Sequence, residues 1–253
     1  MAKIWCEREY IERMFVKLIS KALTTLPRLS GLADLPGQCR VCHAWPSHAV
    51  CEACVNLFAQ PQQRCHRCAL PLPAGMRQCG ACLKNPPPLD QCLAAVAYAY
   101  PWSRLIQDFK FHAEPGLVRI FATLLRAAPW VEPLLDAADL VLPMPLSQQR
   151  LKQRGYNQAL LLARLLNTRK TRTDLLLRIK DTPAQHTLKR SLRLTALQDA
   201  FAVEPLHISA LQGRHLLLVD DVMTTGASLH AAARTLLAAG ASRVSAVVIA
   251  RTE

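Results

Sequence analysis

His215-Leu216-Leu217-Leu218-Val219 is an apolar run that reads as a β-strand, and two acids, Asp220 and Asp221, follow it directly. After Val222 and Met223 come Thr224, Thr225, Gly226, Ala227 and Ser228, a stretch without bulk that leads into a helix opening near Ser228. Small side chains let main-chain N–H groups approach an anion, and the helix adds its positive end. Gly226 allows the backbone geometry of a tight anion nest, while Thr224, Thr225 and Ser228 add hydroxyl donors. Two carboxylates beside a phosphate would repel it unless hydroxyl donors or a cation stand between them. A ribose 5-phosphate meets each requirement: its tail fits the nest, and its hydroxyls, with Mg2+ held directly or through water, satisfy Asp220 and Asp221. The plainer alternative, an acidic strand end followed by an ordinary helix cap at Ser228, accounts for the serine but not for the order of the whole run.

A second chemistry is carried by cysteine. Eight of the ten cysteines form four C-x-x-C pairs: Cys39/Cys42, Cys51/Cys54, Cys65/Cys68 and Cys79/Cys82. Each pair offers two thiolates at one edge of a tetrahedron, so four pairs predict two Zn(Cys)4 sites. Pairing in succession gives two small ribbons, and a cross-braced pairing satisfies the same count. Redox C-x-x-C motifs usually stand singly at a helix start in a βαβ unit, which is not the pattern here. An iron–sulfur cluster is compatible with the spacing. Fully ligated zinc sites are closed, so the expected role is structural or in recognition. Cys6 and Cys92 fall outside the pattern and read as ordinary thiols.

The third group is cationic. Val141-Leu142-Pro143-Met144-Pro145-Leu146-Ser147 ends a strand and enters a loop with Arg150, Lys152 and Arg154, then Gly155-Tyr156-Asn157-Gln158. Cations there would neutralise the charge of a departing pyrophosphate, with Arg154 the strongest candidate; the competing reading is solvated surface charge beside a helix start.

These groups need elements to position them. Residues 36–85 hold all four cysteine pairs and little continuous apolar pattern, so metal must organise a segment this short. Residues 1–35 form a leader in which Ile11, Phe15, Leu18, Ile19, Ala22 and Leu26 recur at helical spacing. Pro86-Pro87-Pro88 reads as a stiff linker. From 89 to 253 strands alternate with helices: strands at Leu93–Tyr100, Leu140–Leu142, Leu175–Ile179, His215–Val219 and Val244–Ala250, helices at Trp102–Phe111, Leu117–Ala128, Tyr156–Leu166 and Ser228–Ala239. That alternation predicts an α/β domain with a parallel sheet and flanking helices, whose ligands bind at the carboxyl ends of the strands.

The bulk figures fit. The chain has 253 residues, 51% of them apolar, enough for one good core plus a small module. No apolar run reaches the roughly 18–20 residues of a membrane span. Glu7, Arg8, Glu9 and Glu12 interrupt any export signal, so a cytoplasmic protein is expected. The formal charge of +13 implies an anionic partner, nucleic acid or a phosphorylated small molecule. The charge is uneven: between Val141 and Leu194 only Asp174 and Asp181 oppose a run of cations.

The Asp220–Ser228 run resembles the signature of the type I phosphoribosyltransferases, which implies that fold and a site for Mg2+–phosphoribosyl pyrophosphate. Purine-base members carry an acid where this chain has Thr224, so the resemblance argues against hypoxanthine or guanine salvage. The cysteine pairs, Ile106-Gln107-Asp108-Phe109-Lys110-Phe111, Pro143-Met144-Pro145-Leu146, Arg154-Gly155-Tyr156-Asn157-Gln158 and Thr182 to Arg193 together resemble the ComF/GntX family of competence-associated proteins. The resemblance runs from about Cys39 to Arg251 and leaves out the leader. It implies a role in DNA uptake and natural transformation, and it marks Gln185, Leu188 and Arg193 as part of a loop that closes over the site. His186, Lys189 and Arg190 would add donors there; the family's usual Asn after this cluster is Ala196 here.

Two functions follow. In one, the chain is a phosphoribosyltransferase: Asp220 and Asp221 stabilise the ribosyl cation and its metal, residues 224–228 anchor the 5-phosphate, Arg154 assists the leaving group, and the acceptor is open. In the other, the fold is a non-catalytic sensor or scaffold, and the zinc knuckles and basic face hold single-stranded DNA or a DNA-uptake partner. Trp45, Phe58, Trp102 and Trp130 are scattered, which is sparse for a stacking groove.

Overall fold

A computed structural model describes residues 37–180 and 200–253. The leader, with its amphipathic pattern and Cys6, and the Thr182–Arg193 loop with Ala196 lie outside the described residues.

In chain order the elements are α1 (Glu52–Phe58), α2 (Gly80–Lys84), β1 (Cys92–Ala97), α3 (Trp102–Phe111), α4 (Val118–Ala127), α5 (Val131–Ala137), β2 (Leu140–Pro143), α6 (Gln148–Arg154), α7 (Gln158–Asn167), β3 (Leu176–Arg178), β4 (Phe201–Val203), β5 (His215–Met223), α8 (Ala227–Ala238) and β6 (Arg243–Arg251). Four strands form a parallel sheet in the order β1-β6-β5-β2. The two central strands, β5 and β6, are apolar almost throughout because both of their faces are covered. Edge strand β1 alternates buried and half-buried positions.

Apolar side chains divide between the two faces of this sheet. Val141, Leu217, Val219 and Val247 pack with residues of α3, α4, α5 and α7. Leu142, Leu216, Leu218 and Val248 pack with Leu229, Ala232, Ala233 and Leu236 of α8. The result is the type I phosphoribosyltransferase-like arrangement expected, a parallel sheet with helices on its faces.

The cysteine-rich segment docks on this body through polar contacts as well as apolar ones. Cys92 N–H, at the start of β1, donates to the carbonyl of His66 (2.8 Å), and Arg67 Nη1 donates to the carbonyl of Leu89 (2.7 Å). Trp102 Nε1 donates to the carbonyl of Phe58, the last residue of α1 (2.8 Å). Cys39, Val50 and Cys54 join the α3/α4 core, whereas Cys65, Cys68, Cys79 and Cys82 join the α8 core.

Several elements differ from the sequence expectation. β5 runs past Val219 to Met223, since β6 extends far enough to pair Val222 with Ala250 and Met223 with Arg251. Arg150, Lys152 and Arg154 lie on a helix, α6, and not in a loop: Ser147 caps it, accepting from Arg150 N–H at 3.4 Å. The segment at Leu175–Ile179 does not join the main sheet; β3 pairs antiparallel with β4 as a separate two-stranded sheet. Helix α5 was not anticipated. Among the described residues no helix is long and apolar enough to cross a membrane.

Trp102 is fully buried and also holds α1 in place. Trp102→Ala is expected to destabilise the protein by about 3–5 kcal/mol, read as a lower midpoint of urea unfolding. A loss below about 1 kcal/mol would place Trp102 outside the core.

Candidate functional site

At the carboxyl end of β5 lies a cleft of about 450 Å³, within the size range of small-molecule sites. It brings together Asp220, Asp221, Thr224, Gly226, Ala227 and Ser228 with Arg154, all expected from sequence, and adds Lys110, Phe111 and Arg178. Thr225 stands in the same turn, where its Oγ1 accepts from Ala227 N–H at 3.4 Å.

The acid pair is part of a strand, so its neighbours are fixed. Asp220 Oδ1 accepts from Asp221 N–H (2.9 Å), and Asp221 Oδ1 accepts from Val222 N–H (2.6 Å). Asp221 is buried and forms an ion pair with Lys110 from the end of α3, Nζ to Oδ1 2.8 Å. Burial and the neighbouring Asp221 charge push the Asp220 carboxyl up to about 7, against the pull of Lys110 and Arg154. The pair is thus short of positive charge, which a divalent cation would supply.

The turn after β5 owes its shape to glycine. Gly226 has φ 77° and serves as the N-cap of α8, and Ser228, the cap in the plainer alternative, stands inside the first turn. A Cβ at Gly226 would lie 2.4 Å from Met223 Cε and 2.8 Å from His230 Nε2, so the turn is closed from below as well as left-handed. His230 is kept neutral, since burial, with Arg234 and Arg251, lowers it to about 4, and its Nε2 has no hydrogen-bond partner among the described residues.

The run Arg154-Gly155-Tyr156-Asn157-Gln158 is a junction between two helices. Gly155, at φ 76°, ends α6 with its N–H on the carbonyl of Leu151 (2.8 Å). Asn157 caps α7, accepting from Leu160 N–H (3.3 Å), and its Nδ2 donates to the carbonyl of Met144 (3.0 Å). Tyr156 Oη donates to the carbonyl of Phe109, which also receives Gln158 Nε2. Gln158 Oε1 in turn accepts from Arg154 Nη1 at 3.1 Å, and the guanidinium lies 5.0 Å from the centre of the Phe111 ring. Arg154 is therefore held at the cleft by contacts on two sides.

Sequence reasoning gave Lys110, Phe111 and Arg178 no role. Lys110 and Phe111 fall inside the Ile106–Phe111 motif, yet their meeting with Asp221 and Arg154 depends on the tertiary packing of α3. No local spacing encodes it.

The eight cysteines form two groups, Cys39/Cys42/Cys51/Cys54 and Cys65/Cys68/Cys79/Cys82, each with its sulfurs within 4.8 Å of one another. Pairing is therefore successive, and both groups could hold zinc. The donor chemistry fits. Cys39 Sγ accepts from Val41 N–H (3.4 Å) and Cys51 N–H (3.3 Å), and Cys65 Sγ accepts from Cys79 N–H (3.3 Å). Burial opposes ionisation of Cys39 and Cys65, yet these main-chain donors hold the thiols down to about 6 and about 7. Burial and neighbouring thiols push Cys54 up to about 12 and burial lifts Cys68 to about 11. Four thiolates that close cannot coexist without a cation among them.

Residues 153–253 match the family model described as phosphoribosyl transferase domain. The DNA utilization protein YhgH of Escherichia coli O6:H1 is 32% identical over 235 residues, covering 87% of this chain and 100% of that protein. Competence protein F of Haemophilus influenzae is 32% identical over 194 residues, 74% of this chain and 84% of that one. Competence protein ComFC of Bacillus subtilis is 28% identical over 177 residues, 65% of each. Among solved structures, the allosteric regulatory enzyme of purine biosynthesis overlaps at TM-score 0.32 and 17% identity, over 54% of this chain and 25% of that one.

Elemental analysis of the purified full chain should find two zinc ions per molecule, matching the two cysteine groups. Cys39→Ser and Cys65→Ser should each leave one. Iron with acid-labile sulfide in place of zinc would establish the iron–sulfur alternative.

Proposed function

The chain belongs to the ComF family, and we propose that it binds Mg2+–phosphoribosyl pyrophosphate in the cleft at the end of β5 and acts as a phosphoribosyltransferase. The carrying observation is one juxtaposition: an acid pair, Asp221 buried and Asp220 half-buried, and a glycine-shaped turn at a helix start line the same cleft as Arg154 and Lys110. A sugar phosphate is the ligand whose chemistry uses all four.

In this reading Gly226, Ala227 and Ser228 offer main-chain N–H groups to the 5-phosphate, with hydroxyls from Thr224, Thr225 and Ser228. Asp220 and Asp221 accept hydrogen bonds from the ribose hydroxyls and hold Mg2+. The metal, when bound, neutralises the pyrophosphate oxygens. Arg154 and Lys110 stand where charge builds on the leaving pyrophosphate as its bond to the ribosyl carbon lengthens. The acid pair then faces the positive charge that develops on the sugar. The broken bond's electrons leave with pyrophosphate, and an acceptor nucleophile takes the ribosyl group.

The names of the relatives, DNA utilization and competence, support a role for this activity in DNA uptake and natural transformation. The net charge of +13 favours a second reading alongside it, contact with single-stranded DNA or a DNA-uptake partner through the basic face and the zinc knuckles.

Calorimetry with Mg2+–phosphoribosyl pyrophosphate tests the first reading. Wild type should bind, and Asp220→Ala/Asp221→Ala should lose affinity by about tenfold or more. Equal affinity in the double variant, or none in wild type, removes it. For the second, single-stranded DNA affinity should fall steeply with salt, in proportion to the phosphates neutralised. Absence of binding at low salt removes that reading.

A further inference from the structure

Arg251 is the last residue of β6 and is buried. Its Nε donates to the carbonyl of Cys68 at 2.9 Å. Its Nη1 donates to the carbonyl of Met223 at 3.2 Å and reaches Thr252 Oγ1 at 3.1 Å. Cys68 belongs to the second cysteine group. Met223 ends β5 and immediately precedes the Thr224–Ser228 turn. One guanidinium thus joins a ligand residue of that group to the root of the turn.

Other contacts reinforce the same path. Thr252 N–H donates to the Met223 carbonyl (3.1 Å), and Cys92 Sγ lies 3.5 Å from Met223 Sδ. Cys92 N–H binds the carbonyl of His66, between Cys65 and Cys68. Met223 Cε fills the space below Gly226 that a Cβ would occupy. The four cysteines, Cys92, Met223 and Ala227 share one apolar cluster, while the first cysteine group packs on the opposite face.

Charge gives Arg251 a reason to be there. A buried guanidinium needs an anion or a full set of acceptors. Among the described residues no carboxylate lies within 4.0 Å of it. Four thiolates around one divalent ion leave a net negative centre, and Arg251 stands on the carbonyl of one of its ligands. If that group is empty, the guanidinium has lost its counter-charge and the carbonyls it joins lose their fixed spacing.

We propose that Arg251 is a positioning residue that ties the Thr224–Ser228 turn to the second cysteine group, so that metal at Cys65, Cys68, Cys79 and Cys82, and not at the first group, sets the grip of the cleft on its ligand. The ligand half of this statement rests on the sugar-phosphate reading above; the coupling half does not.

Hydrogen exchange on the full chain, with metal content measured in parallel, separates the two. Amides of 223–229 should exchange about tenfold faster in Cys82→Ser and in Arg251→Met, while amides of α4 on the opposite face stay protected. Cys54→Ser, which empties the first group, should leave 223–229 unchanged. Arg251→Lys, which keeps the charge and part of the donor set, should restore much of the protection with both metals bound. Affinity for Mg2+–phosphoribosyl pyrophosphate should fall by about tenfold in Cys82→Ser and Arg251→Met only. Equal exchange at 223–229 in Cys82→Ser and Cys54→Ser would overturn the coupling. Should Arg251→Met expose α4 as well, Arg251→Lys decides: protection at 223–229 and α4 held close to wild type, or lost at 223–229 alone, supports the link, and exchange raised at α4 as much as at 223–229 overturns it. A wild type that fails to bind the ligand removes the sugar-phosphate reading alone, because the exchange comparison needs no ligand.

Discussion

Two adjacent carboxylates at the end of a buried strand cannot both stay charged unless something positive faces them. The rest of the cleft follows from that constraint. Asp221 is buried and takes the Lys110 ammonium at 2.8 Å. Among the described residues Asp220 has no such partner of its own, and its carboxyl is lifted to about 7 by burial and by Asp221. Arg154 adds positive charge from α6, itself steadied by Gln158 and Phe111. A cleft built this way is poised for a ligand that brings a cation and hydroxyl donors to the acids and anionic groups to the turn.

The cysteine groups solve a different problem. β1 is an edge strand, and an uncovered edge invites pairing with other chains. The knuckle at His66 takes the first N–H of β1, and α1 is tied by its last carbonyl to Trp102 just beyond that strand. Each group then feeds a different core, one per face of the sheet. A segment too short to fold on its own apolar surface is thus anchored twice, once by the sulfur groups and once by the sheet it protects.

How much of this was legible in the sequence depended on whether the cause was local. The β5–α8 turn was, because strand, acids, small residues and helix start follow one another in the chain. The eight clustered cysteines were, because a C-x-x-C knuckle is local chemistry; the successive pairing of knuckles was not, since it depends on three-dimensional closure. The helix at Gln148–Arg154 has a single apolar residue, Leu151, so periodicity had nothing to register; its signs were the caps, Ser147 before and Gly155 after. The extension of β5 to Met223 depended on the length of its neighbour β6. Lys110 depended on the tertiary packing of α3. Arg251 had no role in the sequence reading, because its burial among carbonyls depends on contacts with residues distant in the chain.

The two ends of β5 show on physical grounds which one is built for a ligand. At the amino end every buried polar group is matched. His215 Nε2 pairs with Ser245 Oγ at 2.9 Å, its Nδ1 lies 3.3 Å from the Ala137 carbonyl, and its N–H donates to Asp139 Oδ2 at 2.8 Å. That is the pattern of a fold satisfying its own groups. At the carboxyl end the same strand carries a carboxyl that burial and its acidic neighbour push up to about 7, and His230, on α8 below the turn, has a ring nitrogen unmatched among the described residues. Fold stability alone would have removed such groups or paired them, because each costs free energy where it stands. Their retention at the one strand end where parallel sheets place their ligands argues that they were kept for something that binds there.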